Sequence, residues 1–335
     1  MTIAPMMLLQ GLARTFPLDW SVQRDHRLRT PGATLLGPYY IGWDSGNGAY
    51  GEGWDAAPRD ANGVMLSPGG TIYDPTHIAQ FGLEQHSRWV LRSDAEARRA
   101  FLAQARWLRD QQAVRGGIAG CYPFPFAWPA YGAPLGFLSA MTQGEAISLL
   151  LRAYETTGEN GFLDAAARAA EPFRHEIRAG GVTWRSGDDV IFEEAAADPP
   201  AHILNGWIFA LWGLHELHTY SAERDLVAIY EQSVRTLQRR LILYDSGSWS
   251  YYNLLATRRG FRKLATLKYH AFHIAQLRVM ASLVGEACFN VTADRWSAYA
   301  ESPMSRLHVY LNAAAGLIVR AVREDTVPRG ARSVV

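Results

Sequence analysis

From Pro75 onward the sequence is a train of helical runs in pairs, and the links between them alternate in length and character. "DPTHIAQFGLEQHSRWVL" is followed closely by "SDAEARRAFLAQARWLRDQQ", "SAMTQGEAISLLLRAYETTG" by "NGFLDAAARAAEPFRHEI", and "AHILNGWIFALWGLHELHTY" by "AERDLVAIYEQSVRTLQRRLILY". Another helix opens at about residue 268, and at least one more follows. Within pairs the turns are short, as in "ETTGEN" and "TYSAER". Between pairs come long aromatic and Gly/Pro/Ser-rich stretches: "CYPFPFAWPAYG", a hairpin-like "GGVTWRSGDDVIFEE", and "DSGSWSYYNL". Such alternation points to a mainly α fold, an incomplete α/α toroid (α/α barrel). Its short turns would lie on a closed face, and its long loops would converge on the other to build a site. Two packed helical bundles would show the same periodicity. No repeat at a fixed period marks a solenoid.

Ahead of the helices, residues 1–72 are rich in Gly, Pro, Asp and aromatics and are expected to form a short β-hairpin-rich segment, with turns at Asn62-Gly63 and Gly69-Gly70. Asp74 reads as an N-cap, with Pro75 in the first helical position. The toroid is expected over 73–325, with a tail at 326–335. At 48% hydrophobic and 19% charged residues the chain is of globular type. No apolar run reaches the roughly 18 residues of a membrane span. The start shows no basic leader region, which implies a cytoplasmic protein. Cys121 and Cys288 lack zinc-type spacing and read as buried free thiols.

A net charge of +1 argues against a general nucleic-acid binder, but the charge is uneven. Ser246 through Gly285 contains no Asp or Glu, yet it holds Arg258, Arg259, Arg262, Lys263, Lys268 and Arg278. That is the pattern of a local anion site, or of a solvated basic loop. Aromatics placed in loops, rather than in helices, suit the apolar faces of sugar rings.

"LKYHAFHIAQL" places Tyr269 and His273 four apart on one helical face, with His270 three before His273. The histidine spacing is not that of a metal-binding helix, and no acid lies nearby, so no metal site is expected. The histidines read as buried orienting groups or as direct participants. A phenol ionises near pH ~10, and the cations crowding Tyr269 in sequence would favour its phenolate. Tyr251 and Tyr252 are expected in a polar loop leading into the same basic region. Glu193 and Glu194 end an expected strand, whose alternation would turn one inward and the other outward.

Taken together, "LGPYY", "YDPTHIAQFGL", "SAMTQGEAISLLLRAYETTG", "HILNGWIFALWGLHEL", "LYDSGSWSYYNL" and "YHAFHIAQL" resemble the D-glucuronyl C5-epimerase family, in family order from about residue 37 to 300. The resemblance implies inversion of C5 in glucuronate residues of a heparosan-like polysaccharide, without a cofactor. It implies Glu194, Tyr252 and Tyr269 as acid–base residues. Asn205, Tyr251, His270, His273, Arg258, Arg259, Arg262 and Lys263 are then expected around the substrate. The chain departs from the family pattern in three places. Ala195 stands where the family has a tyrosine after its glutamate, Leu255 replaces an arginine, and "ATLKYH" replaces "ARWDYH" through Thr266 and Lys268.

Three readings follow: a uronate epimerase, a polysaccharide lyase or uronyl hydrolase on the same scaffold, and a non-catalytic acidic-glycan-binding protein. The expected partner is an acidic polysaccharide or oligosaccharide, with no nucleic acid and no membrane span, and with a homodimer as the assembly to test.

Overall fold

The computed structural model describes residues 36–42, 56–67, 69–221, 223–256 and 262–312. Eight helices with both ends described form four hairpins: α1 (Pro75–Arg92) with α2 (Ala95–Asp110), α3 (Ala140–Thr157) with α4 (Asn160–Ala169), α5 (Leu204–His218) with α6 (Arg224–Arg240), and α7 (Leu267–Val284) with α8 (Ala287–Glu301). Residues 303–312 are helical as well. α1 packs on α3, α3 on α5 and α5 on α7, so the first members of the hairpins form a curved inner row that the second members back from outside.

Burial separates the two rows. α3 buries 14 of its 18 residues and α5 13 of 15, whereas α6 buries six of 17. The outer helices show the one-sided apolar stripe expected at a surface, and the inner ones are covered all round. α3 and α5 approach closely because their crossing is lined with glycine. A Cβ on Gly144 would lie 2.6 Å from the Phe209 carbonyl oxygen, and one on Gly213 would lie 2.2 Å from the Gly144 oxygen. This is an α/α toroid.

Capping sets the helix starts. Asp74 accepts the N–H groups of Thr76 and His77 ahead of α1, with Pro75 in the first position. Ser139 caps α3, and Thr266 caps α7 by accepting the Tyr269 N–H. Gly158 and Gly285, both at positive φ, end α3 and α7 with the left-handed turn that glycine adopts at least cost.

The long links carry three antiparallel hairpins: β1 (Ala113–Arg115) with β2 (Ile118–Cys121), β3 (Thr183–Ser186) with β4 (Asp189–Phe192), and β5 (Tyr251–Ala256) with β6 (Arg262–Leu264). Before the helices, the Asn62 turn with Gly63 at φ +79° joins an Arg59–Met65 bridge, as the sequence implies. Residues 36–42 enter the closed end, where Tyr39 packs on Phe209 and Trp212.

Two expectations need correcting, and a third lies outside the described residues. Cys121 is buried but Cys288 is exposed, because α8 places it on the outer surface. Tyr251 and Tyr252 lie in a strand rather than a loop. Arg258 and Arg259 fall outside the described residues. Among the described residues, no helix is long and apolar enough to cross a membrane.

Candidate active site

The starts of α1, α3 and α7 and the segment ahead of α5 meet at the open end around a cavity of about 270 Å³. One wall is the first turns of α1, with Asp74, Thr76, His77 and Gln80. The aromatic loop between α2 and α3 contributes Phe124, Phe126 and Trp128. Glu194 and Tyr269 form part of the remaining lining. Aromatic faces beside hydroxyl, amide and carboxyl groups make a pocket suited to a sugar ring.

Glu194 occupies its place because α5 begins without a side-chain cap: Ile203 precedes it, and the carboxyl of Glu194 serves the first turn instead. It accepts the Gly206 N–H, and the Asn205 amide donates to Glu194 Oε2 at 3.3 Å. A Cβ on Gly206 would sit 2.3 Å from that oxygen, so only glycine admits the carboxyl here. Burial, then the neighbouring Glu193, push the Glu194 pKa up to about 8; Gly206, Lys263 and Asn205 oppose them. The expected inward and outward split of the two glutamates is not what forms. Beyond β4 the chain folds over itself and both are buried. Glu193 is satisfied by the Ala201 and His202 N–H groups and by the His202 ring, and it anchors the loop that leads into α5.

Tyr252 and Tyr269 meet edge to face, with ring centroids 4.7 Å apart and their hydroxyls in contact. Burial, and after it the negative charge of Glu194, push Tyr269 up to about 12, while the Tyr252 contact works the other way. Tyr252 is raised well above its usual value for the same first two reasons. The expectation of a phenolate favoured by nearby cations is therefore reversed. The cations approach the ring faces, with Lys263 Nζ 4.7 Å from the Tyr252 centroid and Lys268 Nζ 5.9 Å from that of Tyr269, while the hydroxyls lie in the field of Glu194.

The remaining candidates divide. Lys263 lies near the site, solvent-exposed, and Glu194 acts on it electrostatically. Arg262, next to it, points to the other face of β6, where it donates to the Leu243 carbonyl at 2.9 Å and lies over Tyr251. Tyr251 therefore faces away from Tyr252, as strand alternation requires. Asn205 is buried and holds Glu194. His270 and His273 are fully buried, and neither lines the cavity. His270 stacks on Trp249 at 3.7 Å. Its Nε2–H donates to the Trp296 carbonyl, which leaves Nδ1 to accept from Ser250. His273 Nδ1 shares the Ser250 hydroxyl at 3.0 Å. Burial pushes the pKa of His270 down to about 4 and that of His273 well below its usual value, so both are neutral braces between β5 and α7.

Sequence reasoning did not single out the α1 wall, Gly206 or the aromatic-loop residue Tyr131. The α1 residues were visible only as a helix start, and a glycine in a first helical turn was the one sign of a close approach. Ala195 is fully buried in the apolar cluster that also holds Phe124 and Tyr131, so a tyrosine at this position would overpack it.

The family model described as D-glucuronyl C5-epimerase C-terminus matches residues 119–298. The chain belongs to that family. A D-glucuronyl C5-epimerase of Caenorhabditis elegans is 33% identical over 214 residues, covering 60% of this chain and 35% of that protein. An uncharacterised protein of Methanocaldococcus jannaschii is 25% identical over 177 residues, covering 52% of this chain and 56% of its own length. The chain thus spans about a third to about half the length of these relatives. Among solved structures, cellobiose 2-epimerase from Spirochaeta thermophila aligns at 16% identity and TM-score 0.48 over 82% of this chain and 66% of that one. That likeness is too distant to bear on chemistry.

Proposed function

We propose that this protein is a uronate C5-epimerase, interconverting D-glucuronate and L-iduronate residues in a heparosan-like or other acidic polysaccharide. The observation that carries the reading is one buried carboxyl with a raised pKa, Glu194, set beside the paired phenols of Tyr252 and Tyr269 at the wall of a sugar-sized cavity.

Removing the C5 proton of a uronate leaves a carbanion delocalised onto the C6 carboxylate. Cations and hydrogen donors aimed at that group lower the barrier. Lys263, whose charge acts on Glu194, is assigned the role left open by Leu255. Glu194 as carboxylate accepts the C5 proton on one sugar face, and the neutral Tyr269 phenol delivers a proton to C5 on the other. Transfer of a proton from Glu194 back to the Tyr269 phenolate then restores the starting state. The Tyr252 hydroxyl, in contact with that of Tyr269, offers a route for that return. The reverse reaction uses the same groups with acid and base exchanged. No atom is lost or gained, apart from exchange of the C5 hydrogen with solvent.

Incubation with heparosan and other glucuronans in deuterated water, followed by NMR at C5, tests this directly. Deuterium at C5 with a growing iduronate signal is expected. Near-ultraviolet absorbance from an unsaturated uronate would replace epimerisation with lyase chemistry. Binding without exchange or elimination would leave a glycan-binding protein.

A further inference from the structure

The first turns of α1 wall the cavity, and two of their polar side chains are held from behind by α3. Thr76 Oγ1 lies 2.6 Å from Thr142 Oγ1. One turn further along, the Gln80 amide donates through Nε2 to Glu145 Oε1 at 3.0 Å. Thr76 and Gln80 line the cavity, whereas Thr142 and Glu145 are fully buried. Positions four apart on α1 thus meet positions three apart on α3, as two rungs of a polar ladder behind the cavity wall.

The second rung fixes which end of Gln80 the cavity meets. A side-chain amide has one donor end and one acceptor end. With Nε2 spent on Glu145, the carbonyl oxygen Oε1 is the end that remains, and among the described residues no protein group donates to it. Glu145 holds this orientation in either protonation state. Burial, and after it the charges of Glu194 and Asp74, raise its pKa against the opposing pull of the Gln80 hydrogen bond. A neutral carboxyl carries its proton on one oxygen and still accepts through the other. Here Oε2, fully buried and without a hydrogen-bond partner among the described residues, is the oxygen left to carry it. A sugar ring laid on this wall covers Gln80 Oε1, and a ring hydroxyl that donates to it keeps the oxygen satisfied as water leaves.

We propose that Gln80 is a substrate-binding residue whose carbonyl oxygen accepts a ring hydroxyl of the bound sugar, and that Glu145, behind it, is the positioning residue that holds the amide in this orientation. The proposal rests on the epimerase reading for the identity of the sugar, but not for the orientation of the amide.

Two readouts on the full chain separate orientation from binding. With 15N labelling, the Gln80 side-chain amide, assigned through Gln80→Leu, should show one proton shifted downfield and protected from solvent exchange. Glu145→Leu should abolish both features. Glu145→Gln, whose own carbonyl can accept, should restore them. Calorimetric titration with a heparosan hexasaccharide reads binding. Gln80→Leu and Glu145→Leu should each weaken it about 5- to 10-fold, and Glu145→Gln should bind as wild type does. The double variant should bind no worse than Gln80→Leu alone, because Glu145 acts through Gln80. Methyl glucuronides with one ring hydroxyl at a time replaced by fluorine, which cannot donate, identify the contact. Wild type should lose affinity at a position where Gln80→Leu loses none.

A Gln80 amide signal that Glu145→Leu leaves in place overturns the proposal. So do losses that add in the double variant, which would make Glu145 a structural residue only. If Glu145→Leu does not fold, wild-type binding by Gln80→Leu overturns it alone. Absence of glucuronan binding by the wild type overturns the epimerase reading instead, and the amide signal still decides whether Glu145 holds Gln80.

Discussion

The two ends of the toroid bury their carboxylates in opposite ways. At the closed end Arg152 forks onto Glu216 with bonds of 2.9 and 2.8 Å, both side chains only 1% exposed, and gives two further donors to the Ser148 and Gly37 carbonyls. Glu155 nearby takes the Tyr220 hydroxyl and the Leu36 N–H. At the open end Glu194 has an amide and a backbone N–H but, among the described residues, no ion pair. Glu145, also fully buried, is held by Gln80 at 3.0 Å through one oxygen, while the other has no hydrogen-bond partner among the described residues. Full pairing holds a charge in place. Partial pairing with neutral donors leaves a proton that can move, and burial raises the pKa of both open-end carboxyls.

The largest effect expected from this difference is at Tyr269. Tyr269→Phe removes one oxygen at the open end and should lower turnover roughly 100- to 10,000-fold, with the thermal midpoint little changed. Wild-type turnover on an active glucuronan would make Tyr269 a structural residue. Glu216→Gln at the closed end should do the reverse. It strands a buried guanidinium and should cost about 3–5 kcal/mol in chemical denaturation. Turnover per folded molecule should be retained. A stability loss of under about 1 kcal/mol would show that the closed-end pair is not the anchor it resembles.

Glu194→Gln separates stability from activity at the open end itself. The folded pKa of about 8 lies above the ordinary 4.5, so the protonated form is the one the fold favours. The contribution of Glu194 to stability is full below about pH 4.5 and is lost as pH rises through about 8. Glutamine escapes that loss. The variant should therefore match wild type near pH 5, exceed it by a few kcal/mol near pH 9, and epimerise poorly at both. Equal stability at pH 9 would mean that Glu194 ionises without penalty, and would remove it as a proton carrier tuned near neutrality.

How much of this the sequence discloses follows from the range of the interactions. Helix pairs, short turns and caps depend on residues within a few positions of one another, so the toroid, the Asp74 cap and the β3–β4 hairpin can all be read from local pattern. Glu194, Tyr252 and Tyr269 come from resemblance to relatives. What local pattern does not reveal is where a side chain ends up across the ring. Tyr131 and Asn253, whose side chains bond at 3.2 Å, are 122 residues apart. The same distance problem misleads at Tyr269, where the adjacent Lys268 lies over the ring face and the charge of a glutamate 75 positions earlier helps raise the pKa of the hydroxyl. His270 and His273 look available for chemistry until Trp249, Ser250 and Trp296 are seen to occupy them.

The smallest effect concerns the basic stretch that first suggested an anion site. Arg262 and Lys263 are neighbours in β6 and face opposite ways, one over Tyr251 and the other over Tyr252. Arg262 is exposed and spends a donor on a backbone carbonyl outside the cavity, so Arg262→Ala should change KM and its salt dependence less than about twofold, as expected of a screened surface charge. Lys263→Met, by contrast, should raise KM, flatten its salt dependence and lower kcat, because its charge serves the C6 carboxylate both on binding and as negative charge builds on it. Measuring KM for a uronate oligosaccharide across a salt series distinguishes the two. Equal losses from both variants would mean that the polysaccharide runs along both faces of the hairpin, and that the anion site is the basic surface as a whole.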